Sequence, residues 1–157
     1  MKRKKIIAVA SIGGHWVQLL RIAKPLEQWY DVAYMSTHEK CQTMIGEKHF
    51  YRLPDFNRSN AWKMLVAIFK CFYVVLKERP SAVITTGAAP GLLTVIIARF
   101  FWVETIWIDS VANVKTLSAC GHFARFFAKH VYTQWPDLAD DSVDYVGNIF
   151  GDQGEDK

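Results

Sequence analysis

Short apolar stretches alternate with longer stretches of helical periodicity along most of the chain. Residues 4–10 form a β-branched apolar stretch that ends at a glycine turn, which is typical of a buried parallel strand. Apolar side chains recur at helical spacing in residues 15–29, where Pro25 is expected to kink or shorten the helix. The same patterns predict further strands at 31–36, 48–53, 81–87, 104–110, 130–134 and 143–148, and further helices at 61–78, 90–102 and 118–129.

This alternation predicts an α/β domain with a mainly parallel sheet and flanking helices. The chain of 157 residues is long enough for one such domain, which we assign to residues 1–150, followed by a solvated acidic tail at 151–157. Ligands of open parallel sheets bind beyond the carboxyl ends of the strands. Glycine-containing turns at 11–14, at 86–91 and around residue 147 fall at such ends, so we expect a binding site there.

The first turn combines three features that suit an anionic ligand. Gly13 and Gly14 let the backbone approach a ligand closely, and the helix that follows directs free N–H groups toward it. His15 stands at the start of that helix, where it can accept a proton from an attacking hydroxyl or hydrogen-bond a phosphate. The alternative is a tight strand-to-helix turn with an ordinary surface histidine.

A dinucleotide site is disfavoured at this turn. The G-x-G-x-x-G spacing fails in either register, and the nearest acidic residue after the second strand, Glu39, is already in the loop. A self-contained nucleotide-binding enzyme therefore stays open only as a hypothesis, which measurable affinity of the isolated chain for a dinucleotide or UDP-sugar would favour.

Two later strand ends can complete the same pocket. Thr86 and Gly87, in the stretch TTGAAPG (85–91), bring a hydroxyl and a permissive backbone to the end of one strand. Asp109 ends an apolar strand in IDSVAN (108–113), so its carboxylate can orient a sugar hydroxyl or pair with His15. The alternatives are a plain turn at 85–91 and capping of a loop or helix by Asp109 and Ser110.

The predicted helix 61–78 is apolar nearly all round. Its exceptions, Lys63, Lys70 and Lys77, recur every seven residues and therefore form one narrow cationic row. This pattern suits a helix that lies on an anionic bilayer, with Arg99 of the next helix on the same surface. The alternative is a sheet-packing helix with a solvated row of lysines.

Composition and charge narrow the possible functions. The content of 51% apolar and 22% charged residues is that of a globular domain. Residues 1–136 carry 18 Lys and Arg against eight Asp and Glu, whereas residues 137–157 carry one against seven. A basic body favours phosphate or anionic lipid as a partner, and no nucleic-acid recognition motif is present. The three cysteines are widely spaced and show no metal-ligand spacing, so we expect no metal site, and we expect no cofactor. The chain has no run of 18 apolar residues, so we expect no membrane-spanning helix.

Four stretches together resemble a known family: ASIGGHWVQLLRI, TTGAAPG, IWIDSVANVKTLS and YTQWPDL. Their order and spacing resemble the PssD family of bacterial exopolysaccharide proteins, which is related to the Alg14 subunit of lipid-linked oligosaccharide synthesis. The series is also similar, more distantly, to the amino-terminal half of MurG, which glycosylates a lipid-diphosphate acceptor. The resemblance extends over about residues 4–150.

The resemblance implies the Rossmann-like amino-terminal half of a GT-B glycosyltransferase, with the donor-binding half in a separate subunit of the PssE or Alg13 type. It implies that His15 is the catalytic base or positions the acceptor, and that Asp109 orients the acceptor or His15. Asp109 replaces the glutamate that is common in the family, which shortens its reach by a methylene. The residues predicted to bind the acceptor and its diphosphate are Ser11, Gly13, Gly14, Thr86, Gly87, Ala88 and Asn113.

The predicted function is that of a hexosyl- or N-acetylhexosaminyltransferase subunit, inactive without its donor-binding partner. With that partner it transfers a sugar from a UDP-sugar to a polyprenyl-diphosphate-linked acceptor in exopolysaccharide or lipid-linked oligosaccharide synthesis. It is expected to bind peripherally to the cytoplasmic face of the plasma membrane. The alternative is a non-catalytic membrane anchor and scaffold for a PssE-like glycosyltransferase.

Overall fold

The computed structural model describes residues 3–56, 60 and 62–151, so the predicted acidic tail lies almost wholly outside the described residues. Seven strands are present in the described part of the chain: β1 Lys5–Val9, β2 Asp31–Ser36, β3 Phe50–Arg52, β4 Ala82–Thr85, β5 Glu104–Ile108, β6 His130–Thr133 and β7 Asp144–Tyr145. Four α-helices connect them: α1 Gly14–Leu26, α2 Trp62–Glu78, α3 Ala88–Phe100 and α4 Ala119–Phe127. Short 3-10 helices span Glu39–Met44 and Pro136–Leu138.

The seven strands form one sheet in the order β3-β2-β1-β4-β5-β6-β7, and every neighbouring pair is parallel. The predicted parallel α/β fold is therefore confirmed. The direction of winding reverses between β1 and β4, which pair directly from Ile6↔Ala82 to Val9↔Thr85. This reversal places the turns after β1 and β4 side by side at the carboxyl edge, where open sheets form their ligand sites.

Proline positions agree with the observed helix boundaries. Pro25 lies one residue before the end of α1, which is shorter than the predicted 15–29. Pro90 is the third residue of α3, where a missing N–H leaves no helical hydrogen bond unmade. β5 ends at Ile108 rather than at residue 110, so Asp109 lies directly after the strand and not within it.

Both faces of the central strands are buried. On β1, Ile7 and Val9 pack with α2 and α3, whereas Ile6 and Ala8 pack with α1. Successive side chains of a strand point to opposite faces, so an uninterrupted apolar stretch such as residues 6–10 is the expected sequence of a strand covered on both sides.

The end of α2 is held to the sheet by a buried carboxylate. Glu78, with a side chain that is 1% exposed, accepts hydrogen bonds from Lys5 Nζ, from Tyr51 Oη and, at 3.1 Å, from His49 Nδ1. Burial by itself raises the pKa of the Glu78 carboxyl, but the hydrogen bonds from Lys5, Tyr51 and His49 outweigh it and lower the pKa to about 2. This network ties the last turn of α2 to β1 and β3.

Acid is expected to weaken the folded state through Glu78. Its carboxyl has a lower pKa when folded than when unfolded, so its contribution is present above about pH 5 and is lost as the pH falls toward 2. The loss is at most about 3 kcal/mol. Free energies of unfolding from urea titrations at pH 6 and pH 3 should differ less in Glu78→Gln than in the wild type. The exposed Glu47→Gln is the control, and an unchanged pH dependence in Glu78→Gln would contradict this account.

Candidate functional site

A cleft of about 220 Å³ opens at the carboxyl edge of the sheet. The starts of α1, α3 and α4 border it, together with the loop of residues 110–118 that joins β5 to α4, here called the β5–α4 loop. Its lining residues are His15, Ala88, Ser110, Ala112, Asn113, Ser118, Ala119 and Cys120. Residues that follow β1, β4 and β5 thus line one cleft, whereas the predicted turn around residue 147 is not among the described lining residues.

Three helix N-termini converge on this cleft without an acidic residue in their first turns. Among the described residues, no side chain caps the starts of α1 and α3, whereas Ser118 caps α4 by accepting from the Gly121 N–H at 2.8 Å. Unpaired N–H groups and aligned peptide dipoles make each N-terminus attractive to negative charge. The cleft is therefore suited to an anion such as a diphosphate.

His15 is held by the turn after β4. Its Nδ1 lies 2.8 Å from the carbonyl oxygen of Thr86, and the Thr86 hydroxyl donates to the His15 carbonyl at 2.6 Å. A carbonyl only accepts, so Nδ1 carries the proton and Nε2 of the neutral ring keeps its lone pair. Thr86 is fully buried, and both its hydroxyl and its carbonyl contact His15.

Gly87 allows this contact because it has no side chain. A Cβ at Gly87 would lie 2.8 Å from Cε1 and 2.9 Å from Nδ1 of His15. The φ angles of Gly87 and Ala88 are +125° and +65°, so the chain turns through left-handed conformations directly before α3. The turn is strained at the point where it supports His15, which is common at functional sites.

Gly87→Ala is expected to move the His15 ring and to destabilise the fold by about 1–3 kcal/mol, because alanine avoids this backbone conformation. The ring signals of His15 in NMR spectra and urea unfolding measure the two effects. Gly46→Ala is a matched control, since Gly46 also has a positive φ but no atom lies within 4 Å of its Cβ position. Unchanged His15 signals in Gly87→Ala would disprove the close approach of the His15 ring to Gly87.

Asp109 is buried beneath the β5–α4 loop. Its Oδ1 accepts from Trp107 Nε1 at 3.0 Å and from the Ser118 hydroxyl at 2.6 Å. Its Oδ2 accepts from Asn113 Nδ2 at 3.0 Å and from the Ser118 N–H at 2.8 Å. These four donors occupy the four lone-pair positions of the carboxylate. The contacts are those of the loop-capping alternative and not of a pair with His15, and two of the partners, Asn113 and Ser118, line the cleft.

The other predicted ligand-binding residues divide into two groups. Ala88 and Asn113 line the cleft, and Gly87 directly precedes Ala88 in the chain. Ser11, Gly13 and Gly14 lie at the exposed or half-buried turn before α1, beside the described lining residues and not among them.

Sequence reasoning missed several residues of the site. Ser118, followed by a helical pattern, carried an N-cap signal that identifies its position before α4. Ser110 also lines the cleft, in the stretch IDSVAN but predicted there only as a capping residue. Cys120 lines the cleft and Gln18 is buried beneath it, without any motif that predicted their positions. Within the part of the chain that the structure describes, no group of three or more His, Cys, Asp or Glu could hold a metal ion.

Helix α2 has two apolar faces. One packs on the sheet through Ala67, Cys71, Val74 and Val75. The other, here called the outer face of α2, is exposed and contains no charge; its residues are Trp62, Leu65, Val66, Phe69, Phe72, Tyr73 and Leu76. The side chain of Phe69 is the most exposed of these, with an exposed fraction of 74%. The sheet-packing alternative is thus correct for one face but does not explain the outer face.

The predicted lysine row runs along one border of the outer face. Lys70 Nζ donates to the Arg52 carbonyl at 3.0 Å, and Lys77 Nζ lies 5.2 Å from the centre of the Tyr51 ring. Lys63, two turns before Lys70, lies 6.0 Å from the Trp62 ring. Arg99 is exposed at the end of α3, close in sequence to Phe100 and Trp102, whose exposed fractions are 79% and 87%. Among the described residues, no helix has the length and apolar character to cross a membrane.

A model of the family described as "Oligosaccharide biosynthesis protein Alg14 like" matches residues 55–149. The chain belongs to this family. Three of the four stretches that carried the predicted resemblance lie inside the matched residues, and the glycine turn before α1 lies outside them.

Individual relatives agree with this assignment. The Alg14-like chain is 23% identical over 181 residues to the mouse UDP-N-acetylglucosamine transferase subunit ALG14, covering 92% of the chain and 82% of the relative. Its fold is similar to Acinetobacter baumannii MurG, with a TM-score of 0.77, 18% identity and coverage of 92% of the chain. It is also similar to Rickettsia bellii UDP-N-acetylglucosamine 2-epimerase, with a TM-score of 0.74, 12% identity and coverage of 94%. The chain spans 45% and 46% of these two structures, and the predicted Rossmann-like fold is confirmed.

Proposed function

We propose that this Alg14-like chain is the acceptor-binding subunit of a two-component glycosyltransferase. The complex transfers a sugar from a UDP-sugar to a polyprenyl-diphosphate-linked acceptor. The observation that carries this proposal is the convergence of three helix N-termini and the His15 imidazole on one cleft. The N-termini suit the acceptor diphosphate, and the imidazole suits the hydroxyl that attacks the donor sugar.

His15 acts as the general base in this mechanism. The acceptor hydroxyl attacks the anomeric carbon of the donor sugar, its O–H bond breaks, and the proton passes to Nε2 of His15. The new glycosidic C–O bond forms as the bond to UDP breaks, and UDP leaves with the electron pair. The Thr86 carbonyl, 2.8 Å from Nδ1, holds the ring in the required tautomer and stabilises the imidazolium that forms.

Asn113 orients the acceptor sugar. Its Nδ2 donates to Asp109, so the amide oxygen is the atom left to accept a hydrogen bond from a sugar hydroxyl in the cleft. Asp109 is a positioning residue in this scheme, because it sets the orientation of the Asn113 amide.

The outer face of α2 docks on an anionic membrane and brings the lipid acceptor to the cleft. Seven exposed apolar side chains bordered by three lysines form the surface of an interfacial helix. Each lysine near an anionic leaflet contributes about 1 kcal/mol. Helices of a parallel α/β fold run opposite to the strands, so the Trp62 end of α2 lies at the same edge of the sheet as the cleft.

A donor-binding subunit similar to PssE or Alg13 supplies the UDP-sugar. The description of the mouse relative as a transferase subunit supports such a partner. The test is to purify the chain together with its donor-binding partner from membranes and to add radiolabelled UDP-N-acetylglucosamine and a polyprenyl-diphosphate sugar. Transfer by the complex, and by neither subunit alone, is expected. Tight binding of a UDP-sugar by the isolated chain would instead support a self-contained nucleotide-binding enzyme.

A further inference from the structure

Gln18 connects the helix that carries His15 to the β5–α4 loop. It is the fifth residue of α1 and is 5% exposed. Its Nε2 donates to the Ser110 hydroxyl at 3.0 Å, and its Oε1 accepts from the Val111 N–H at 3.2 Å. Both ends of the amide are therefore used, and both contact the first two residues of the loop.

The backbone of Val111 is held from two sides. Gln18 accepts from its N–H, and Trp135 Nε1 donates to its carbonyl at 2.8 Å. Asp109 holds the later part of the loop through Asn113 and Ser118. The loop that supplies four of the cleft-lining residues thus has separate supports at its beginning and at its end.

The polar side chain of Gln18 is unusual at this position. Its buried neighbours on α1 are Trp16, Leu19, Leu20 and Ala23, and an apolar residue would continue that pattern. Burial of an amide is unfavourable unless its donor and acceptor are both paired, and the β5–α4 loop supplies both partners. Gln18 also follows His15 by three residues, so the two side chains leave one rigid turn of α1 in similar directions.

We propose that Gln18 is a positioning residue that sets the β5–α4 loop relative to His15 and so prepares the cleft for the acceptor. The inference rests on the proposed function, in which Asn113 orients the acceptor and His15 receives the proton. Without Gln18 the beginning of the loop loses one of its two supports, and acceptor binding must order it. His15 keeps its hydrogen bond to Thr86, so the chemical step is affected less than binding.

Gln18→Leu should raise the KM for the acceptor by about tenfold and change kcat by less than about threefold. Gln18→Glu should keep the KM for the acceptor within about threefold of the wild-type value. Its carboxylate can accept from the Val111 N–H and from the Ser110 hydroxyl, which rotates to donate. A side chain that only fills space would give the reverse order, with leucine tolerated and glutamate not. The control is Gln28→Leu, the same substitution at an exposed position just after α1.

Hydrogen exchange of the isolated chain tests the loop contact without any transfer assay. In Gln18→Leu the amides of residues 110–113 should exchange on the order of tenfold faster, with the rates in β5 and α4 unchanged. If Gln18→Leu does not fold, Trp135→Phe removes the other side-chain hydrogen bond of Val111. It should likewise speed the exchange of residues 110–113 and raise the KM for the acceptor.

Each result supports or overturns a defined statement. Unchanged exchange in residues 110–113 overturns the loop contact whatever the activity. Faster exchange with an unchanged KM overturns the role in acceptor binding while the proposed function stands. No transfer by the wild-type complex overturns the proposed function, and the role of Gln18 with it.

Discussion

His15→Ala is expected to lower the transfer rate of the reconstituted complex by about 10²- to 10⁴-fold, the range that a general base contributes. The substitution removes Nε2, the ring atom that keeps its lone pair while Nδ1 donates to Thr86. Initial rates at saturating UDP-sugar and acceptor measure the effect. His130→Ala is the control, since His130 begins β6 at the opposite edge of the sheet.

A second variant separates proton transfer from positioning. His15→Asn keeps a side-chain N–H that can donate to the Thr86 carbonyl in place of Nδ1, but it has no atom equivalent to Nε2. If His15 is the base, the asparagine and alanine variants are equally impaired. If His15 only holds the acceptor and the turn in place, asparagine retains most of the activity.

Full activity of both variants would contradict any catalytic part for His15. The chain would then be a membrane anchor and scaffold, with all chemistry in the partner. The complete pairing of the Asp109 carboxylate within the chain is compatible with that alternative, so the His15 variants decide between the two.

The second large effect is expected on the outer face of α2. Leu65→Glu combined with Phe69→Glu should weaken binding to lipid vesicles at least about 100-fold, because burial of each such side chain contributes about 1.5–3 kcal/mol. Both side chains are exposed, so the free energy of unfolding should change little. Sedimentation with vesicles and urea unfolding measure the two quantities.

The lysine row should act differently from the apolar residues. Reversing the charge of Lys63, Lys70 and Lys77 should reduce binding to anionic vesicles and leave binding to neutral vesicles nearly unchanged. Added salt should likewise reduce the binding of the wild type to anionic vesicles.

Trp29→Glu is the control for the double variant of Leu65 and Phe69, since Trp29 is an exposed apolar residue just after α1 on the other face of the sheet. Wild-type binding by the Leu65 and Phe69 double variant would exclude the outer face of α2 as the membrane surface.

Two of the sequence-predicted site residues illustrate what local pattern can and cannot establish. His15 was identified because a glycine turn and the start of a helix are local features, and the structure places it in the cleft. Asp109 was expected within the last residues of β5 and lies directly after it, and its partners were not predicted. Two of those partners, Asn113 and Ser118, depend on the path of the β5–α4 loop, and irregular backbone has no period that a sequence can reveal.

The order of strands and helices, the parallel sheet and the family follow from the sequence alone, because apolar periodicity, turn residues and short motifs are local properties. Only the tertiary structure decided which groups meet. The contacts of His15 with Thr86 and of Gln18 with Ser110 join residues 71 and 92 positions apart. Similarly, the sequence placed apolar residues all round α2, and packing decided which of them the sheet covers and which remain exposed. Such pairings depend on how whole elements pack, and residue order along one strand or helix does not specify them.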